Sequence, residues 1–305
     1  MVSLKDIQTF FRGRLTIHEP LAPYTSMKVG GPADYYLEPA DKDDVVGIVR
    51  YLEENKFPFM MVGRGSNLII SDEGYRGAAI NLEEGISRVT LEEGLIVAEG
   101  GARLTKLVDF CVQSSLSGLE WAAGIPGTVG GAVVMNAGAH GGEIKDSLVD
   151  VEVYRGGSVL RIEKEKADLS YRRSGFTADI VLSARFNLQP GNRDEIMKRR
   201  SELIAKRNAT QPLNLPNSGS MFKNPPGTFA ARLIEQAGLK GKRVGNVQIS
   251  EKHANFMVNL GNARAEDILR LIELVRRTVH QNTGIQLDLE VKLIGFPQNS
   301  VAHAS

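Results

Sequence analysis

Cysteine is almost missing from this chain: 305 residues contain one, Cys111. A single thiol excludes a disulfide framework and a cysteine-based zinc cluster. It stands in Leu107-Val108-Asp109-Phe110-Cys111-Val112, an amphipathic run where a thiol packs as a small hydrophobe. Histidine is scarce too. His18, His140, His253, His280 and His303 are dispersed, and no two share the i, i+4 spacing of a helical metal site, so no metal is expected. No apolar run approaches the ~20 residues of a membrane span. The N-terminus has no basic stretch leading into an apolar segment. The chain therefore reads as cytoplasmic, without a membrane partner. An excess of one charge is also lacking. Lys and Arg number 37 against 36 Asp and Glu, which excludes a general nucleic-acid-binding surface.

Glycine is what the sequence has in excess. There are 32, and 18 of them fall between Gly63 and Gly157. They follow no collagen period and form no low-complexity tract. Such glycines read as tight turns and as backbone brought close to a ligand. Hydrophobic residues at 42% and charged residues at 24% describe a folded globular chain, and roughly 150 residues per domain suggests two domains.

Ser3 is placed to cap a helix running to about Arg14, followed by a short link. A strand at Ala33 to Glu38, a helix capped by Asp41 and a strand at Phe57 to Val62 make a β-α-β unit. It delivers the loop Gly63-Arg64-Gly65-Ser66-Asn67 at a strand's carboxyl end, where ligands bind in α/β architecture. Short strands then recur up to Leu188, interrupted by a helix at Leu104 to Gln113. Many strands with few helices imply an α+β layer. A basic helix follows at about Asn192 to Arg207. Thr228 is placed to cap a helix ending near Gly238, another helix spans about Ala265 to Gln281, and a final alternating strand runs Gln286 to Ile294.

The first glycine loop has two glycines and the donors Ser66 and Asn67, the chemistry a phosphate needs. It is neither a Rossmann fingerprint, since Leu68 replaces the third glycine, nor a P-loop, since no Lys-Ser/Thr follows. Read alone it is a tight turn or a ligand loop. The segment Gly124-Ile125-Pro126-Gly127-Thr128-Val129-Gly130-Gly131-Ala132 is stronger, because its glycines remove side chains from one surface while Pro126 fixes its own φ. It continues into Asn136-Ala137-Gly138-Ala139-His140-Gly141-Gly142. The plain alternative is close packing of a helix on a strand. Together the two loops suit a pyrophosphate and its adjacent ring. Read in isolation, the Arg172-Arg173 pair is a solvated face, Ser220 in Gly219-Ser220-Met221-Phe222-Lys223-Asn224-Pro225 is a turn serine, and Glu290 is an edge charge.

Taken in order and spacing, these motifs resemble the UDP-N-acetylenolpyruvoylglucosamine reductase (MurB) family. The resemblance covers Thr25 to Gly31, Gly63 to Asn67, Gly124 to Ala132, Asn136 to Gly142, Tyr171 to Ser174, Gly219 to Pro225, Glu251 to Phe256, and Leu289-Glu290-Val291 with Ile294-Gly295. The short interval between Tyr171 and the basic helix resembles the family's second, short-chain type, which lacks an extra tyrosine-bearing loop. Met221 departs from the family, which often has an aromatic residue there.

The resemblance implies an α+β fold. A two-lobed FAD-binding domain of the vanillyl-alcohol-oxidase (PCMH) type is joined to a smaller α+β substrate-binding domain. Its implied boundaries are 1–62 with the C-terminal strand 285–297 for one FAD lobe, 63–192 for the other and 193–284 for the substrate domain. The tail 298–305 is expected to be disordered. The implied reaction is reduction of UDP-N-acetylenolpyruvoylglucosamine to UDP-N-acetylmuramate through non-covalent FAD, with NADPH as hydride donor and one pocket used in turn. By motif match Arg172, Ser220 and Glu290 are catalytic. Arg172 and Glu290 stabilise the enolate-like charge, with Glu290 protonated, and Ser220 gives the proton. FAD falls to Gly63, Arg64, Gly65, Ser66, Asn67, Gly124, Ile125, Pro126, Gly127, Thr128, Gly131, Asn136, Gly138, Ala139, His140 and Ile180. Arg207, Lys223 and Asn224 are candidates for the substrate diphosphate, and His253 and Asn255 for the same pocket. The protein is expected to be a monomer. The rival readings are a flavin oxidase of the same superfamily and an FAD-binding module without turnover.

Overall fold

A computed structural model describes residues 2–297. The expected tail 298–305 lies outside them. The chain forms two compact units. Of the described residues, the first comprises 2–16, 35–63 and 77–207, and the second 17–34, 64–76 and 208–297. These divisions differ from the expected boundaries at 62, 192 and 284. The reason is packing. Met27, Val29 and Ile69 belong to the hydrophobic core of the C-terminal half, so their segments group with it.

The first unit has two cores. Around one, helix α1 (Leu4–Phe10) starts at Ser3, whose hydroxyl accepts from Asp6 N, and stops before the expected Arg14. Helix α2 (Lys42–Glu54) is capped by Asp41, as its sequence implies. It buries Val45, Ile48, Val49 and Leu52 against Leu37, Ala78 and Ile80. Strand Phe59–Met61 pairs in parallel with Tyr75–Ile80, Phe59 opposite Ala78 and Met61 opposite Ile80. The second core is an antiparallel five-stranded sheet, ordered Ser158–Glu163, Leu148–Arg155, Ile180–Phe186, Leu95–Glu99, Val89–Glu92. Its buried face meets helix α3 (Leu104–Gln113), whose Leu104, Leu107, Val108 and Cys111 point inward. The glycine-dense stretch, read as a ligand loop or as a helix packed on a strand, contains helix α4 (Val129–Val134), capped by Thr128. The short helix α5 (Ile144–Ser147) and the basic helix α6 (Arg193–Thr210) follow.

The second unit is built on an antiparallel sheet ordered Asn217–Ser220, Phe256–Asn259, Val247–Ile249, Arg243–Val244. Helices α7 (Ala230–Gln236) and α8 (Ala265–Thr283) supply its core with Leu233, Ile234, Ile268, Leu271, Ile272, Val275 and Val279. The residue capping α7 is Phe229 and not the expected Thr228. Asn224 Oδ1 accepts from Ala230 N and so does part of the capping. The final strand is only Lys292–Ile294, pairing in parallel with Leu68–Ile70. The expected strand from Gln286 shortens because its first half finds one bridge, Leu289 to Phe222, and no ladder.

Candidate active site

In the first unit, Arg172 stands at the tip of a tight hairpin. Ser170 and Arg173 exchange both main-chain bonds at 3.1 Å, leaving Tyr171 and Arg172 as the turn. Arg172 has φ +55°, a left-handed conformation that non-glycine residues rarely adopt and that favours functional sites. Its Nη2 donates to the Gly138 carbonyl at 2.8 Å, and its guanidinium lies 4.9 Å from the Tyr171 ring centroid. Asn136, fully buried, fastens this hairpin: Nδ2 donates to Ser170 O at 2.9 Å and to Glu143 Oε2 at 3.1 Å, while Oδ1 accepts from Lys145 N. Ser174 Oγ donates to Val134 O at 2.7 Å. The Asn136 side chain thus holds the arginine turn, where a cofactor contact was expected. Sequence reasoning missed the part played by Ser174, although its place two residues after the arginine was visible.

The glycine loops meet on Thr128. A Cβ at Gly63 would come 2.6 Å from Thr128 Oγ1, so the approach requires glycine. Thr128 Oγ1 in turn accepts from Gly131 N. Ile125 N donates to Ala122 O, and Gly127 O accepts from Leu104 N, which fixes the path around Pro126. Gly138 and Ala139 pair with Gly142 and Glu143, placing His140 at a second hairpin tip with φ +53°. Burial first, then the charges of Lys206 and Arg207, keep the His140 imidazole below its usual range. Burial also lowers Arg207, whose Cδ lies 3.3 Å from where a Cβ at Gly124 would stand. Glycine backbone beside the cations Lys206 and Arg207 and the imidazole of His140 fits an anionic dinucleotide. A Cβ at Gly142 would lie 2.4 Å from the Trp121 ring, so this glycine serves packing. Ile180, an expected cofactor contact, is 3% exposed, with its side chain in the core of the first unit.

In the second unit, Arg64 and Gly65 offer their carbonyls to Ser26, which links that loop to the Thr25–Gly31 motif. Ser66 follows, and Asn67 reaches the other end of the chain: its Nδ2 donates to Glu290 O at 3.0 Å and its carbonyl accepts from Lys292 N at 2.9 Å. Ser220 ends the strand Asn217–Ser220 opposite Phe256, after Gly219 at φ +72°. Glu290 N donates to the carbonyl of Met221, the residue after Ser220, at 2.9 Å, and Lys223 N donates to Asp288 O at 2.8 Å. Ser220, Lys223 and Glu290 are thereby brought together in one unit, and Arg172 belongs to the other.

Asn255 and His253 support this arrangement. Asn255, 3% exposed, bonds the main chain of Phe222, while its own N donates to His253 Nδ1 at 3.3 Å. The His253 ring meets Phe256 edge-on at 4.7 Å. Burial pushes the His253 imidazole below its usual range, and Lys240 adds to this. Lys292, two residues beyond Glu290, is likewise lowered by burial; nothing in its spacing distinguished it from an exposed edge lysine.

Among the described residues no group of His, Cys, Asp or Glu is placed to hold a metal, and no helix is long and apolar enough to cross a membrane. Two surface cavities of about 390 and 510 Å³, lined from Ser117 to Glu202 and from Arg12 to Gly85, contain none of the expected site residues.

Residues 33–163 match the family described as FAD binding domain. The fold is shared with a berberine bridge enzyme variant at TM-score 0.50 and 15% identity, covering 63% of this chain and 44% of that one. Fold and cradle together define an FAD-binding flavoprotein of α+β architecture. Residues 211–294 match UDP-N-acetylenolpyruvoylglucosamine reductase, C-terminal domain. The reductase of that name from Chloroherpeton thalassium is 46% identical over 98% of this chain and 99% of its own length. That from Caldanaerobacter subterraneus subsp. tengcongensis is 42% identical over 93% and 94%. The crystal structure of the Thermus caldophilus reductase superposes with TM-score 0.80 at 36% identity, covering 93% of this chain and all of that one. The chain belongs to the UDP-N-acetylenolpyruvoylglucosamine reductase family, whose members are FAD-dependent oxidoreductases.

Proposed function

We propose that this enzyme reduces UDP-N-acetylenolpyruvoylglucosamine to UDP-N-acetylmuramate at the expense of NADPH, in the cytoplasmic synthesis of peptidoglycan precursors. The observation that carries the reading is the Glu290 to Met221 main-chain bond, which seats a carboxyl group beside the strand end bearing Ser220. FAD, when bound, supplies hydride transfer between NADPH and the vinyl carbon. The glycine backbone at Gly63 and Gly124 to Gly131, with His140, Lys206 and Arg207, would hold it.

Charge develops on the carbon next to the vinyl terminus and on the attached carboxylate. Arg172 takes that carboxylate through two parallel N–H donors, and its bond to Gly138 orients the fork. Glu290 works in its protonated form, donating a hydrogen bond; an ionised carboxylate would repel the growing charge. Ser220 gives its hydroxyl proton to the adjacent carbon, a weak acid matched to a strong carbon base. Lys223 and Asn224 serve the substrate diphosphate. Arg207, expected at the substrate diphosphate, also lies beside Gly124 and is assigned here to the flavin cradle as well. With no second dinucleotide motif, NADPH and substrate take turns in one pocket, so substrate is expected to inhibit competitively against NADPH.

The test is the purified FAD-loaded protein. NADPH oxidation that requires the enolpyruvyl substrate and yields one UDP-N-acetylmuramate per NADPH is the expected result. Oxidation at the same rate without that substrate, with oxygen consumed, would make the protein an oxidase. No oxidation under either condition would make it a binding module.

A further inference from the structure

Arg276 breaks the pattern of its helix. The buried face of α8 carries Ile268, Leu271, Ile272, Val275 and Val279, and Arg276 is buried with them at 4% exposure. Its neighbour Arg277 is exposed. Burying a guanidinium strips its hydration, and an apolar side chain of similar volume would pack there without that cost. A buried charge kept against this cost calls for a role beyond packing.

The partners of Arg276 lie on the segment that leads to Glu290. With its amide turned so that the oxygen faces the guanidinium, Gln286 accepts from Nε at 3.2 Å and from Nη2 at 2.7 Å. Asp288 is the charged group that opposes the effect of burial on Arg276. Nη1 is buried with no hydrogen-bond partner among the described residues. Farther along the segment, Leu287 is wholly buried and Glu290 O accepts from Asn67 Nδ2 at 3.0 Å. The segment's contacts with residues 221–223 are the Leu289 bridge to Phe222, Lys223 N to Asp288 O, and Glu290 N to Met221 O. Its far end is fixed by the pairing of Lys292–Ile294 with Leu68–Ile70. Its near end is fixed by the fork of Arg276 on Gln286.

We propose that Arg276 is a positioning residue for Glu290: through Gln286 it sets the register of residues 286–290 against 221–223, and so the place of the Glu290 carboxyl relative to the Ser220 hydroxyl. The proposal rests on the reaction proposed above. That reaction divides the turnover, because reduction of the flavin does not use Ser220 and Glu290, whereas its reoxidation by substrate does.

Stopped-flow absorbance of the flavin in the holoenzyme separates the two half-reactions. Arg276→Met and Gln286→Ala are expected to leave reduction by NADPH within about twofold of wild type. Both should slow reoxidation by the enolpyruvyl substrate by about tenfold to a hundredfold, the effect of a reacting group misplaced by about an ångström. Arg276→Lys should fall between, keeping the charge but not the planar fork. Gln286 is exposed, so Gln286→Ala gives a folded reporter even where Arg276→Met does not fold. Reoxidation at the wild-type rate in Gln286→Ala, or an equal loss in both half-reactions, overturns the positioning role. Failure of the wild type itself to reoxidise with substrate overturns the reaction instead.

Discussion

Asn255 grips Phe222 from both sides of its peptide: Phe222 N donates to Asn255 Oδ1 at 3.0 Å, and Asn255 Nδ2 donates to Phe222 O at 2.8 Å. Both residues are buried, so water cannot replace either bond. The clamp holds the chain two residues beyond Ser220. Asn255→Ala leaves a buried donor and a buried acceptor unpaired and is expected to cost about 2–4 kcal/mol of stability. Urea denaturation measures it. A loss under about 0.5 kcal/mol would show that the loop finds other partners.

Ser220→Ala removes the proposed proton donor and leaves the peptide that Asn255 holds. Flavin reduction by NADPH should persist. Reoxidation by the enolpyruvyl substrate should slow by about 10²–10⁴, the range for loss of a positioned acid. The two half-reactions falling together would remove Ser220 from that role.

Asp150, wholly buried in the five-stranded sheet, accepts from Arg185 Nε at 3.0 Å on both oxygens and from Arg161 Nη1 at 2.9 Å. Burial alone would raise its carboxyl, but the two guanidinium groups outweigh burial and hold it below the usual carboxylate range. The unfolded carboxyl, at about 3.9, then binds protons more readily than the folded one. This contribution to stability is fully present above about pH 4 and is lost as pH falls through the lower folded value. Asp150→Asn should cost about 3–5 kcal/mol at neutral pH and flatten the acid limb of Tm against pH. An unchanged acid limb in the variant would place the acid sensitivity elsewhere.

Cys111 lies inside α3 at 2% exposure, and burial, with the nearby charge of Glu120, pushes its thiol up to about 12. The thiolate is the reactive form, so the native protein should resist a disulfide reagent at pH 8 and react with one equivalent once unfolded. Rapid labelling of the native holoenzyme would contradict the packing described for α3.

Elements whose own residues specify them were legible in the sequence. Leu104–Gln113 and Leu95–Glu99 fall where their periodicity puts them, and Asp41 caps the helix it precedes. Elements specified by a distant partner were not. Asn217–Ser220 is small and polar, and it is a strand because Phe256–Asn259 lies beside it. Gln286 to Val291 alternates like a strand, with Leu287 and Val291 buried, yet it lacks a partner along its length. The site was legible as motifs, each residue type suited to its chemistry. The holding groups were less so. Asn136 and Asn255 were read as ligand contacts; the Asn136 amide bonds Ser170 O, Glu143 Oε2 and Lys145 N, the Asn255 amide bonds the main chain of Phe222, and Arg276 was indistinguishable from the exposed arginine beside it.

Asn67 and Glu290 are joined across 223 positions of chain. During synthesis the chain emerges N-terminus first, and contacts between distant positions are the slowest to form. The carbonyl that Asn67 caps is made 223 residues after Asn67 itself, and the strand that pairs with Leu68–Ile70 follows it. The loop at Gly63 to Asn67 is therefore made long before the segment that closes on it, and the short edge at Leu68–Ile70 waits unpaired by Lys292–Ile294 in the interval.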